Sequence, residues 1–186
     1  MRIRPVVAAL DIETTSLHAD VGHLVCAVIG DYWTGRLRAY AVRRPAEERT
    51  VLNRVVNDLG KAHLLFTWRG REFDVPWLVS RSIKLGVDPG PLYNPRHIDL
   101  ADIVEKQLRL SNDSLWNVAR FLGLRRSEPT RGADVPSLYE AALLGNRADM
   151  AKILRHCRED VSLTISVAKR LRQLLQRLYP DLPSLS

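Results

Sequence analysis

Val6-Val-Ala-Ala-Leu-Asp-Ile12, followed at once by Glu13, is the stretch on which the fold turns. Its first five residues are uninterrupted Val, Ala and Leu, the composition of a strand covered on both faces, which predicts the central strand of a sheet. Working outward, a polar loop containing His18 to Gly22 precedes two more apolar runs, Leu24 to Ile29 and Leu37 to Val42. These read as strands joined around the turn Trp33-Thr-Gly-Arg, so the sheet is expected to begin as a meander. Ala46 to Leu59 then places Val51, Leu52, Val55, Val56 and Leu59 at helical spacing behind acidic Glu47 and Glu48. His63 to Thr67 returns to strand. A helix over Val75 to Leu85, a short strand ending near Ile98, and helices over Leu100 to Leu110 and Leu115 to Leu122 follow. Asp99 and Asp113 stand where helices begin, and N-capping is the expected role of each. Residues Arg125 to Pro136, with two prolines, a glycine and mixed charge, read as a loop able to move over a site. From Asp149 to about Leu178, apolar residues recur at spacings of three and four, which predicts one long helix. Three starting strands followed by alternating helix and strand imply an α/β sandwich with a mixed sheet, rather than a doubly wound parallel one.

Composition narrows the class. The chain has 186 residues, 46% hydrophobic and 26% charged, enough for one sizeable core, so a single domain over 1–186 is expected. A net charge of +7 favours a polyanionic partner such as nucleic acid. No apolar run approaches the roughly 20 residues of a spanning helix, so no membrane partner is expected. Asp11 and Glu13 interrupt the stretch that would have to serve a secretory signal, and the protein is expected in the cytoplasm. Cys26 and Cys157, the only cysteines, sit in apolar-periodic segments and read as reduced, buried hydrophobes. Arginine outnumbers lysine 23 to 5, a bias with several origins that assigns no function.

Three pieces carry chemistry. Asp11 and Glu13 lie two residues apart in a strand, so both side chains leave one face with Cα atoms about 7 Å apart. Two carboxylates flanked by Val7, Ala8, Ala9, Leu10 and Ile12 repel unless cations or basic side chains compensate them; a strand-end pair facing solvent is the alternative. The second piece is Thr67-Trp-Arg-Gly-Arg-Glu-Phe-Asp-Val-Pro-Trp-Leu78, where strand passes through Gly70 into a helix beginning near Asp74. Taken alone, Asp74 is an N-cap ahead of Pro76. The third is His156-Cys-Arg-Glu-Asp160, whose four-residue spacing stacks two polar side chains about 6 Å apart in rise, on a line continued by apolar Leu163, Val167, Leu174 and Leu178. A buried His-Asp hydrogen bond is the alternative there. Together the pieces supply four carboxylates and an imidazole. Hard oxygen donors select Mg²⁺ or Mn²⁺ over zinc, and two such ions about 4 Å apart suit phosphodiester hydrolysis. His156 is then placed to accept the water's proton or to position the water.

These stretches, Ala9-Leu-Asp-Ile-Glu-Thr-Thr-Ser-Leu17, Gly70-Arg-Glu-Phe-Asp-Val-Pro-Trp77 and His156-Cys-Arg-Glu-Asp-Val161, resemble the three exonuclease motifs of the DnaQ-like DEDD superfamily. The resemblance implies a ribonuclease H-like three-layer sandwich with a mixed five-stranded sheet and a long C-terminal helix. Ser114-Leu-Trp-Asn-Val-Ala-Arg-Phe-Leu-Gly-Leu124 and Gly145-Asn-Arg-Ala-Asp149 are similar to the YprB-type branch, and also to proofreading domains of family B polymerases. Position by position, the resemblance implies Asp11, Glu13, Asp74 and Asp160 as ligands of two divalent cations, with His156 at the place of the general base or water-positioning residue. Thr14 and Leu17 would contact the terminal nucleotide and Phe73 would line the same pocket. The implied activity is 3′-to-5′ hydrolysis of single-stranded DNA or RNA from its 3′ end, releasing nucleoside monophosphates, with DNA favoured. An endonuclease on the same fold and a catalytically dead binding module are the competing classes. Two departures stand out. Histidine lies four residues before Asp160, where many members carry tyrosine, whereas the usual histidine variant spaces it five. Arg69 replaces the asparagine common before the glycine of the second motif, where it can meet a phosphate.

Around these motifs, Arg69, Arg71, Arg81, Arg155 and Arg158 are candidates for tracking phosphates, although most surface arginines do not. Trp68, Trp77 and Trp116 suit core packing better than base stacking. His18 follows the first motif; it is the histidine outside the third motif best placed to take part, and His23, His63 and His97 read as structural.

Overall fold

The computed structural model describes residues 4–185. The opening run forms β1 (Val7–Thr14), followed by β2 (Leu24–Asp31) and β3 (Leu37–Ala41), an antiparallel meander closed at Trp33 to Arg36 by an Asp31 N–H to Arg36 carbonyl bond. After a short 3₁₀ turn at Pro45–Glu47 come α1 (Glu48–Leu59), β4 (Leu64–Thr67), α2 (Asp74–Leu85) and β5 (Arg96–Asp99). β4 pairs parallel with both β1 and β5, giving a mixed five-stranded sheet in the order β3-β2-β1-β4-β5. β1 is central, as its two-faced apolarity requires. The chain ends with α3 (Leu100–Gln107), α4 (Leu115–Phe121), α5 (Val135–Leu143), α6 (Arg147–Arg170) and α7 (Arg172–Leu178).

Alternation along β1 divides the interior into two layers. Ala8, Leu10 and Ile12 pack with Leu52, Val55 and Val56 of α1 and Leu78 of α2. Val7 and Ala9 face the other way, toward Ile153, Cys157 and Val161 of α6. Asp11 and Glu13 continue the second series, so the period of two carries both carboxylates onto the face that α6 covers. α6 lies flush against the sheet. A Cβ built on Gly30 of β2 would stand 2.6 Å from Val161 Cγ1 and 2.7 Å from Ile165 Cδ1, a separation only glycine permits. Cys26 and Cys157 are free and buried, and among the described residues no helix is long and apolar enough to cross a membrane.

Three expectations are corrected. The segment Arg125 to Pro136 is not wholly loop: a 3₁₀ turn at Gly132–Asp134 leads into α5, whose Pro136 sits in the first turn, where its missing N–H costs nothing. The predicted single helix to Leu178 is two helices, because Leu171 leaves helical geometry at φ −89° and ψ 3°. The apolar spacing runs through this break unaltered, so periodicity cannot detect it. Asp113 does not cap α4; Ser114 does, accepting from Asn117 N–H, while Asp113 pairs with Arg69. Asp99 caps α3 as expected, accepting from Ala101 N–H. Asp74 is the first residue of α2, with Phe73 at the cap position, so its carboxylate is free for another partner.

Candidate active site

The site opens where the sheet splits. Pairing of β1 with β4 ends at Ala9 and Phe66, so the β4 side of β1 has no strand neighbour beyond that point. The Ile12 N–H finds its acceptor in Asp74 Oδ1 at 3.1 Å, a buried bond that ties the start of α2 to the middle of β1. On the α6 side, the Cys157 thiol donates to the Asp11 backbone carbonyl at 3.3 Å, which fixes the helix's depth. His156 Nε2 then lies 3.3 Å from Glu13 Oε1 and 3.9 Å from Asp160 Oδ2. The register with β2 shifts between Glu13 and Thr14, immediately after the second carboxylate. The structure therefore brings Asp11, Glu13, Asp74, His156 and Asp160 together from three elements.

Burial and mutual repulsion make the cluster electrostatically strained. Burial raises Asp11 well above the usual carboxylate range, and Glu13, Asp74 and Asp160 push it further. Glu13 is driven up to about 9, chiefly by burial, with Asp160 and Asp74 among the neighbours that add to it and Arg126 opposing. Burial carries Asp74 to about 7 against its hydrogen bond from Ile12, and it also raises Asp160. His156 is lowered, again first by burial. Asp11 Oδ2 is buried with no hydrogen-bond partner among the described residues, whereas Asp160 Oδ1, also without a hydrogen bond, has the Arg126 guanidinium 3.3 Å away. Buried anionic oxygens without donors are costly unless a cation meets them, so the donor set fits a divalent ion. Asp11, Glu13 and Cys157 present ligand atoms within 4.8 Å of one another. The two carboxylates are the hard donors; the thiol is soft, raised by burial and committed to Asp11.

A family model described as the RNase H superfamily matches residues 8–172, a span that includes every residue of this cluster. The chain belongs to the RNase H superfamily. Among solved structures it is similar to the family B DNA polymerase from the hyperthermophilic archaeon Pyrobaculum calidifontis, with a TM-score of 0.82 and 19% sequence identity. The match covers 95% of this chain and 26% of the polymerase chain, so the chain spans about a quarter of that structure's length. At that identity the likeness carries the fold. No curated protein matches the chain.

The remaining predicted site residues divide. Leu17, 77% exposed, and Phe73 line one shallow pocket of about 320 Å³ together with His18 and Trp77, between the loop that follows β1 and the start of α2. Trp77 is buried and donates from Nε1 to the Ser16 carbonyl, bracing the loop that carries Leu17. The Thr14 hydroxyl donates to the same carbonyl. Arg69 is turned elsewhere: its guanidinium pairs with Asp113 and, at 3.8 Å, with Glu72. Its backbone is left-handed, φ 57°, because its N–H and that of Arg71 both point at Asp99, at 2.8 Å each. Gly70 between them packs so closely on Thr67 that a Cβ would sit 2.5 Å from the threonine Cβ. Arg81 does not reach a strand path; it is buried in a bidentate pair with Glu48, at 2.6 and 2.7 Å. Arg155 pairs with Glu128, and Arg158 is exposed.

One residue escaped the sequence reading. Arg126, from the loop before α5, reaches the cluster: its Nη2 stands 2.7 Å from His156 Nδ1 and 3.3 Å from Asp160 Oδ1. The loop is gripped by Glu159, which accepts from the backbone N–H of Ser127 at 2.6 Å and of Glu128 at 2.7 Å. Thirty residues separate Arg126 from His156, and no local spacing announces the contact.

Proposed function

We propose that the protein is a metal-dependent 3′-to-5′ exonuclease acting on single-stranded nucleic acid, with DNA favoured and RNA also accepted. Family membership and fold support a nuclease. The observation that carries the finer reading is the convergence of four raised carboxylates, with Asp11 Oδ2 left buried and unpartnered at its centre. In this reading Asp11, Glu13, Asp74 and Asp160 hold two divalent cations, Mg²⁺ or Mn²⁺. Such ions supply Lewis acidity at the scissile phosphate and a water acidic enough to attack near neutral pH. Leu17 and Phe73, which line the shallow pocket, hold the terminal nucleotide together with Thr14 at the foot of the same loop; Leu17, Phe73 and Trp77 offer apolar faces to a base or sugar, and His18, Asp20 and Glu72 offer polar groups beside them. Hydrolysis joins the water oxygen to phosphorus and breaks the bond to the O3′ of the preceding nucleotide, which takes a proton. The product is a nucleoside 5′-monophosphate.

The deciding experiment follows 5′-labelled single-stranded DNA and RNA with Mg²⁺, Mn²⁺ or EDTA, beside a 3′-blocked strand and an Asp11→Ala control. The expected result is a metal-dependent ladder shortening from the 3′ end, absent with the block and in the variant. Internal cuts despite the block would establish an endonuclease instead. Binding without cleavage under either metal would leave a nucleic-acid-binding module.

A further inference from the structure

We infer that Arg126 fixes the tautomer of His156, so that the imidazole faces the carboxylate cluster as a hydrogen-bond donor and orients the attacking water instead of taking its proton. The catalytic half of this inference rests on the nuclease reading; the tautomer half does not.

A guanidinium has five donors and no acceptor. With Arg126 Nη2 at 2.7 Å, His156 Nδ1 must be the accepting nitrogen. An imidazole that accepts at Nδ1 carries its proton on Nε2, and Nε2 is the atom turned toward Glu13 Oε1 at 3.3 Å. A general base would need the reverse arrangement, a bare Nε2 lone pair aimed at the cluster. The contact is built rather than incidental. Arg126 is mostly buried; Nη2 also donates to the Thr130 carbonyl at 3.4 Å, and Nε lies 3.7 Å from Glu159 Oε2. Glu159 holds the loop backbone on both sides of Ser127, which keeps the Arg126 backbone within reach of His156. Arg126 is therefore a positioning residue, acting on the reaction through the ring it polarises.

The test is nitrogen NMR of the full-length chain labelled with ¹⁵N-histidine, in Mg²⁺ buffer, with the ring of His156 assigned by a His156→Gln variant. The wild-type ring is expected to show a protonated Nε2 and a lone-pair Nδ1. Arg126→Met should mix or reverse that pattern, and Arg126→Lys, which keeps one donor, should restore it. A protonated Nδ1 in the wild type overturns the inference, as does a pattern unmoved by Arg126→Met. If that variant fails to fold, the wild-type spectrum still decides. In parallel, kcat on a single strand should fall about 10- to 100-fold in Arg126→Met with KM little changed, and recover in Arg126→Lys. A reversed ring with kcat intact overturns the donor role. A wild-type chain that cleaves nothing removes the nuclease reading and the catalytic half with it, while the spectrum still judges the tautomer.

Discussion

Glu13→Gln should stabilise the protein in EDTA, increasingly so as the pH rises. Glu13 titrates at its ordinary 4.5 in the unfolded chain and at about 9 in the folded one. Between those values the folded state keeps a proton that the unfolded state has released. The unfolded state thus binds fewer protons, and stability falls by about 1.4 kcal/mol per pH unit as pH rises through this window. At pH 7 the accumulated loss is about 3 kcal/mol. Glutamine never ionises and has the same shape, so its Oε1 can keep the 3.3 Å approach to His156 Nε2 while the variant is spared that loss. Below pH 4.5 the two proteins should be equally stable. At pH 7 the variant should melt about 8 °C higher, taking the average unfolding entropy for a chain of this length. Urea and thermal denaturation followed by circular dichroism at pH 4.5, 7 and 8.5, all in EDTA, measure the difference. A gap between variant and wild type that stays flat across the three pH values, or narrows toward alkali, would refute the reasoning.

Saturating Mn²⁺, at about a hundred times its dissociation constant, should stabilise the wild type by roughly 2.7 kcal/mol and Asp11→Asn far less, as a thermal shift will show. Because Glu13 and Asp74 must lose protons to ligate, Mn²⁺ affinity measured by calorimetry should rise between pH 6 and 9. Arg81→Met, which leaves buried Glu48 with only His23 and the Leu24 N–H, should cost about 3–5 kcal/mol in urea, and the Glu48→Gln, Arg81→Met pair, which removes the charge and keeps an acceptor for Leu24, should recover part of it. Gly30→Ala should lower stability by about 1–3 kcal/mol by forcing α6 off the sheet, and adding Val161→Ala should return part of the loss.

The sheet was legible because its strands obey local rules. Val6 to Ile12 is apolar on both faces because α1, α2 and α6 cover both, and the meander's turn announces itself at Gly35. What escaped was structure whose cause lies outside its own segment. Leu171 breaks the last helix without breaking the apolar spacing, since Leu171 itself stays buried at the kink, as do Ala168 before it and Leu175 after it. α5 escaped because Pro136 reads as a helix breaker unless it is known to occupy the first turn. Asp113 lies beside a better cap, Ser114, and pairs instead with Arg69 from the segment after β4.

The site divides along the same line. Asp11 with Glu13, and His156 with Asp160, are pairs whose geometry follows from a strand period of two and a helical spacing of four, so each pair could be placed before the sheet was known. Asp74 needed the split between β1 and β4, because what holds it is a backbone N–H that lost its strand partner. Arg126 needed the whole fold. Four buried carboxylates gathered at one place would repel one another if ionised, so a neighbouring cation is expected on physical grounds, yet spacing cannot say which of the 23 arginines comes. The answer lies in Glu159, one residue before Asp160, whose carboxylate turns away from the cluster to fasten the loop that carries Arg126. A stretch of five residues on α6 thus supplies a metal-ligand candidate, the imidazole beside it, and the clamp that delivers the arginine deciding which imidazole nitrogen keeps the proton.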